Sequence, residues 1–440
     1  MRQQRGSMRF VDIQLKVTFV ALLASLVWYL QGAGAGELAD VVKNLYGGQG
    51  ISLQPPPQGF SHAAHFFASS LQGLDALNSG ITSNLGLLSF NSTVTGFTFD
   101  IEQGVPVRTT ESFGPLLAER ASTVGAGKLN LGFTYTRIDF TRFEGKPLSH
   151  LSLDFTHDDV NGDGVLGPTS TFTFDFERDV IRVDLDLTVT EDVFGLLATY
   201  GLTRRWDVGI VVPITHVLLR AEANATIIRN SVISTLVHNF GPQSTPPRST
   251  GGGEATGIGD IILRTKYNFL RNQPRWPDLA IVGELKLPTG DEDDLLGTGT
   301  TNLKGLLVAS RSFGILTPHV NVGYEVVTGP SKESTVRHVA SDGTYTDVTQ
   351  TIGGSRESNV RYIAGLDAGV HPSLTLAFDV LGRWKPHGDG IADHTVDLAL
   401  GARWNLFRTF LLNGIVQLPL NKNEGLRADV IWTVGAEYTF

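Results

Sequence analysis

Apolar and polar residues alternate through most of the C-terminal two thirds of this 440-residue chain. The closing stretch, LRADVIWTVGAEYTF, puts Leu426, Ala428, Val430, Trp432, Val434, Ala436, Tyr438 and Phe440 on one parity. The other parity is mostly polar or small, with Arg427, Asp429, Thr433 and Glu437. Successive side chains of a strand point to opposite faces, so this pattern predicts a strand with one apolar and one polar face. The same reading predicts twelve strands, at 127–141, 181–202, 206–221, 257–270, 277–288, 301–312, 316–327, 358–370, 373–386, 395–406, 409–420 and 426–440. Most run past the roughly 5–6 residues of a soluble strand and reach the roughly 9–11 that a tilted strand needs to cross a bilayer.

The connectors alternate too. Those at 202–205, 312–315, 371–373 and 406–409 are tight, whereas 222–256, 289–300, 328–357 and 386–394 are longer and polar. Short turns on one rim and long loops on the other predict an all-β, antiparallel transmembrane β-barrel with lipid against its apolar face. Closure leaves no strand edge unpaired in lipid. Trp384, Trp404, Trp432, Tyr438 and Phe440 are expected near the membrane interfaces. Two places leave the count open. Apolar parity changes between Val189 and Phe194, so 181–202 reads as two strands or one bulged strand. A further pair at 148–157 and 170–177 makes fourteen the alternative. A soluble β-sandwich or solenoid is the competing architecture.

The N-terminus changes the picture. Arg2, Arg5, Arg9 and Lys16 precede the uncharged run VTFVALLASLVWYL, and Ala33-Gly34-Ala35 follows as a small-x-small cleavage pattern. Residues 1–35 are therefore expected to be a secretory signal peptide, since the run is short for a span of about 20 residues. Residues 36–126 carry extended (LQPPPQGF) and helical (SHAAHFFASSLQGLDALNSGITSNL) stretches, expected as a plug or mouth cover of the barrel formed by 127–440. The net charge is −9 and there is no Cys, which argues against a nucleic-acid partner and excludes thiolate chemistry, Cys-ligated zinc and disulfides.

Several strings resemble a known family: GPLLAERASTVGAGKLNLGFTYTR (114–137), ATYGLTRRWDVGIVVPI (198–214), GIGDIILRTKYNF (257–269), LAIVGELKLPTGDEDDLLGTGTTN (279–302) and PHVNVGYEV (318–326). Together they are similar to the outer-membrane transporter family labelled for the MetA pathway of phenol degradation. The most specific pieces are Tyr-Gly-Leu-Thr-x-x-x-Asp, Gly-x-Gly-Asp and Leu-Pro-Thr-Gly-Asp. The resemblance implies passage of small hydrophobic or aromatic compounds. Separately, the closing strand with Tyr438 and terminal Phe440 resembles the signal by which the outer-membrane assembly machinery recognises its clients. The same strings have local readings: Asp207 and the arginines satisfy backbone groups of the 203–205 turn, and Gly257 and Gly259 permit unusual backbone angles.

The polar face carries Arg264, Lys266, Glu284, Lys286, Glu325, Arg361, Asp367, Asp379, Arg383, Asp397, Arg403, Arg427 and Asp429, with Glu437. These are expected to face the lumen. Mixed signs on neighbouring strands favour cross-strand ion pairing over a single-sign filter. DDVNGDGVLG offers Asp159, Asn161, Asp163 and the Val165 carbonyl at EF-hand-like spacing, a candidate calcium site. The closing bidentate Glu is missing, with Ser170 in its place. DEDD at 291–294 reads as a solvated loop tip. His62 and His65 stand three apart, on one face if 61–71 is helical, and with no carboxylate near in sequence they are not expected to ligate a metal. No nucleophile elbow or phosphate loop is present, so no enzymatic activity and no cofactor are expected. The expected function is passive passage of small hydrophobic molecules across the outer membrane of a Gram-negative bacterium. The alternative is a non-conducting structural or surface-interaction barrel. The expected partners are outer-membrane lipid, the assembly machinery and a small-molecule solute.

Overall fold

The structure, a computed structural model, describes residues 38–57, 61–82, 85, 97–100, 105–108, 112–166, 172–231, 234–329, 332–340, 344–352, 357–386, 393–407 and 409–440. The signal peptide expected at 1–35 lies outside these residues.

Twelve strands form a ring: β1 (Leu129–Phe143), β2 (Val180–Gly201), β3 (Trp206–Ile228), β4 (Ile262–Leu270), β5 (Asp278–Lys286), β6 (Thr301–Ser310), β7 (Leu316–Thr328), β8 (Asn359–His371), β9 (Leu374–Trp384), β10 (His394–Phe407), β11 (Phe410–Pro419) and β12 (Leu426–Thr439). Each pairs antiparallel with its neighbours in chain order, and β12 pairs with β1 to close the barrel. At the seam the Phe440 amide donates to the Leu129 carbonyl at 2.8 Å, and the Tyr438 and Phe440 rings meet edge to face.

The fourteen-strand alternative does not hold. Leu151–Thr156 is a strand but pairs only with Val180–Leu185 of β2, outside the ring, and Phe172–Arg178 is a 3-10 helix. The loop expected at 222–256 is partly strand, since β3 runs on to Ile228 and Arg248–Ile258 is extended, and the strand expected from 257 begins at Ile262. Arg248–Ile258 pairs with Ile214–Asn224 of β3, and β4 pairs with Trp206–Val211 of the same strand.

Phe133, Phe194, Ile210, Leu263, Ile281, Leu307, Val322, Phe378, Leu400 and Val434 point outward and are exposed, spreading an apolar belt around the wall. Exposed apolar surface on this scale marks a lipid-facing protein. Among the described residues no helix is long and apolar enough to cross a membrane. Trp384 and Trp404 lie near strand ends, whereas Trp432 sits well inside β12.

The parity change in β2 is a change of solvent. β2 runs 22 residues and pairs with β3 without a register shift. Odd-numbered residues face inward throughout. Outward residues are apolar at Phe194, Leu196 and Tyr200 but polar at Arg182, Asp184 and Asp186. β3 behaves the same way, with Ile210 and Val212 outward in the belt and Arg220, Glu222 and Asn224 outward beyond it. Above the belt the wall is a soluble-type sheet, wet outside and apolar inside.

Its inner face, including Ile181, Val183, Leu185, Leu219 and Ile227, packs on Leu38, Val42, Leu45, Ile51 and Leu53 and on helix α1 (Phe67–Thr82) in one hydrophobic core. Leu74, Leu77 and Ile81 form the buried stripe of α1, at the spacing of one helix face. The N-terminal segment 38–82 therefore sits at the rim bearing the long connections.

Candidate functional site: the barrel lumen

Residues 112–126 run through the lumen near the short-turn rim. The segment has few backbone partners of its own, so inward side chains from many strands supply them. The Asp379 carboxylate accepts the amides of Leu116 (3.2 Å), Leu117 (2.7 Å) and Ala118 (3.2 Å) on one oxygen. Its other oxygen meets His319 Nε2 at 2.7 Å. Asn321 brackets Glu119 by accepting its amide at 2.6 Å and donating to its carbonyl at 3.0 Å. Thr375, Ser310 and Asp207 accept the amides of Phe113, Ala121 and Val124.

The segment's own charges are answered as well. Glu119 pairs with Arg264 and with Lys266 (2.7 Å), and Arg120 pairs with Asp367. These groups are almost fully buried, where a charge is tolerated only when paired and hydrogen-bonded. Apolar contacts complete the fit. Leu116 enters a patch made by Ala377, Leu381, Ala399 and Ile415, and Ala121 packs on Ala280, Val282, Leu306 and Val308.

The remaining lumen charges pair across strands. Glu325 pairs with Arg361 (2.9 Å) and Glu284 with Arg264 (3.1 Å) and Lys304. Asp397 pairs with Arg427, and Arg403 with Glu437 (3.0 Å). Lys286 reaches Asp260 at 2.8 Å. Arg383 is buried and has no carboxylate within ion-pair distance among the described residues. Asp429 departs from the expected lumen position. It lies at an irregularity in the β12–β1 register, is half exposed and pairs with Lys422.

A cavity of about 140 Å³ remains in the lumen. Leu117 and Glu119 of the docked segment form one side. The wall mixes apolar Ile138, Phe140, Leu306, Ile363, Leu381 and Ile431 with charged Lys304, Arg361, Arg383, Asp397 and Arg427. An apolar cavity of about 150 Å³ is enough for one benzene ring.

The local readings of the quoted motifs need two corrections. Asp207 holds the Val124 amide and not the 203–205 turn, where Leu202 and Thr203 donate to the Trp206 carbonyl. Gly257 and Gly259 have no left-handed backbone. They are small because Leu296 packs against them, a Cβ on Gly257 standing 2.7 Å from Leu296 Cδ1. The Gly-x-Gly-Asp and Leu-Pro-Thr-Gly-Asp strings meet in space. Asp260 accepts from the Gly290 and Thr298 amides, from the Thr298 hydroxyl and from Lys286. Thr289 bridges the Ile261 amide and the Gly259 carbonyl.

In the candidate calcium loop the carboxylates serve the loop itself. Asp159 accepts from the Gly162 and Gly164 amides, Asn161 from Asp163, and Asp163 from Val165. Glu177 accepts the Val160 amide at 2.8 Å. Sequence reasoning missed Glu119, Arg120, His319, Asn321 and Asp260. The available signals were the pair of charges inside the apolar string GPLLAERAS and the polar parity that His319 and Asn321 share with Glu325.

The model of the family described as "Putative MetA-pathway of phenol degradation" matches residues 158–346, less than half of the chain. No curated protein matches the chain. Among solved structures, the chain is similar to an outer-membrane channel from Pseudomonas putida F1 at 13% identity, covering 74% of this chain and 100% of that one, TM-score 0.44. It is also similar to the P. putida toluene transporter TodX at 10% identity, covering 71% and 89%, TM-score 0.33. A Pseudomonas aeruginosa FadL homologue matches at 9% identity, covering 72% and 91%, TM-score 0.32.

Proposed function

We propose that this protein is an outer-membrane channel for passive passage of small hydrophobic or aromatic molecules, with the lumen cavity on the route and residues 112–126 as its plug. The observation that carries the reading is a lipid-belted closed barrel whose lumen holds a docked chain segment beside a ring-sized cavity. A closed barrel in lipid gives a solute a path only through its lumen, so whatever occupies the lumen governs passage. The family description names phenol degradation, which supports a monoaromatic solute.

Among the described residues the dense ion pairing leaves no single-sign ring, so we do not read the lumen as an ion filter. We read the closed, lipid-belted barrel as a channel and not an enzyme. Tyr438 and Phe440 are the residues we assign to recognition by the assembly machinery.

The test compares the chain lacking its signal peptide with a form lacking residues 36–126, in planar bilayers and in vesicles. Conductance and aromatic uptake should rise on deletion. Passage of no solute by either form would favour a structural barrel.

A further inference from the structure

Three histidines far apart in sequence converge at the long-loop rim. His62 comes from the N-terminal segment, His157 from the end of the 151–156 strand and His238 from the loop after β3. Each is buried, and one ring nitrogen from each lies within 4.8 Å of the others. We propose that His62, His157 and His238 bind one divalent transition-metal ion of the zinc type.

The hydrogen bonds set the tautomers that ligation needs. His157 Nδ1 donates to the Asp158 carbonyl at 2.6 Å, which leaves Nε2 as a lone pair. His238 Nδ1 meets the buried Asp179 carboxylate at 2.7 Å, the carboxylate–histidine arrangement that orients a metal ligand and raises its basicity. Asp179 is itself held by the Asn230 (2.7 Å) and Ser231 (3.1 Å) amides. His238 Nε2 and His62 Nδ1 are buried and have no hydrogen-bond partner among the described residues. Leaving a buried ring nitrogen unsatisfied is costly, and two in one cluster call for an occupant.

Phe66 and Phe176 wall the cluster, with ring centroids 4.5–5.5 Å from the nearest imidazoles. Neutral imidazoles suit zinc, copper or nickel and not the oxygen-seeking calcium or magnesium. Tetrahedral nitrogen ligands at about 2.1 Å from zinc lie about 3.4 Å apart, so binding draws the rings inward by about 1 Å. Metal entry also replaces the 3.0 Å hydrogen bond between His65 Nδ1 and His157 Nε2. The ion would tie the N-terminal segment to two rim loops.

The test uses the full chain, folded in detergent and stripped with chelator. Zinc content after equilibrium dialysis and the visible spectrum of a cobalt(II) titration are read for wild type, His157→Ala/His238→Ala and Asp179→Asn. Heat-modifiable gel migration reports the fold of each. Wild type should take one ion per chain with an intense tetrahedral cobalt spectrum. The double variant should bind at least about 100-fold more weakly, and Asp179→Asn about 10–100-fold more weakly. Calcium should not compete. Folded wild type taking up no stoichiometric zinc, or a folded double variant binding like wild type, would overturn the site. If the double variant fails to fold, the wild-type stoichiometry and the Asp179→Asn affinity decide.

Discussion

Replacing Asp379 with Ala should release the lumen segment while leaving the barrel intact. One carboxylate oxygen holds three consecutive amides, from Leu116, Leu117 and Ala118, at 2.7–3.2 Å. A hydrogen bond to a charged group contributes about 1.5–3 kcal/mol. Three that share one oxygen are worth less than three separate bonds, so the expected loss is about 3–6 kcal/mol. At 1.4 kcal/mol per decade this lowers the docked-to-undocked ratio by about two to four orders of magnitude. Arg120 supplies the readout. It is 3% exposed while docked and paired with Asp367, so trypsin reaches the Arg120–Ala121 bond only from the undocked state. Cleavage there in detergent-folded protein should accelerate by the same factor, provided that cutting is slow relative to redocking. Unchanged cleavage in a variant that keeps its folded gel mobility would refute the claim that these bonds hold the segment.

Gly201→Ala would place a Cβ 1.9 Å from the Gly125 carbonyl oxygen, a backbone atom with no easy escape. It should cost about 1–3 kcal/mol and speed amide exchange at 124–127. Ile281→Arg, on the lipid face, should cost about 2–4 kcal/mol in guanidinium unfolding from phospholipid vesicles. Asp186→Arg, outward on β2 but beyond the belt, should stay within about 0.5 kcal/mol. Equal costs at these two positions would contradict the placement of the membrane boundary on β2. Asp260→Ala removes the shared partner of Lys286 and Thr298 and should cost about 3–5 kcal/mol, with exchange at 287–300 rising most.

The twelve strands were legible because each carries a period-2 pattern with enough length to span a bilayer. Strand 181–202 was ambiguous because hydrophobicity alone cannot separate a register change from a change of surroundings. Val189 and Phe194 lie on opposite faces of one regular strand, one facing a protein core and the other facing lipid. Most of the 248–258 strand falls in the loop expected at 222–256, because Gly and Thr dominate it and its alternation is weak. The lumen charges could be read as inward, but their partners could not. Asp379 meets Leu117 across 262 residues, and Lys266 meets Glu119 across 147. Nothing local in the sequence encodes such pairings. His62 did not read as a metal ligand for the same reason, since its neighbours His157 and His238 come from distant loops.

The central claim is that small aromatic molecules pass through the lumen cavity. Leu381 lines that cavity of roughly 140 Å³, and Leu381→Trp would push a larger, rigid side chain into it and narrow the route. The measurement is the initial rate of labelled phenol entry into vesicles whose outer leaflet carries lipopolysaccharide. Empty vesicles, wild type and Leu381→Trp are compared at equal folded-protein content. Entry should be faster with wild type than in empty vesicles and fall back toward the empty-vesicle rate with Leu381→Trp. Equal rates in wild-type and empty vesicles would contradict the channel itself, and equal rates in wild type and Leu381→Trp would contradict the route.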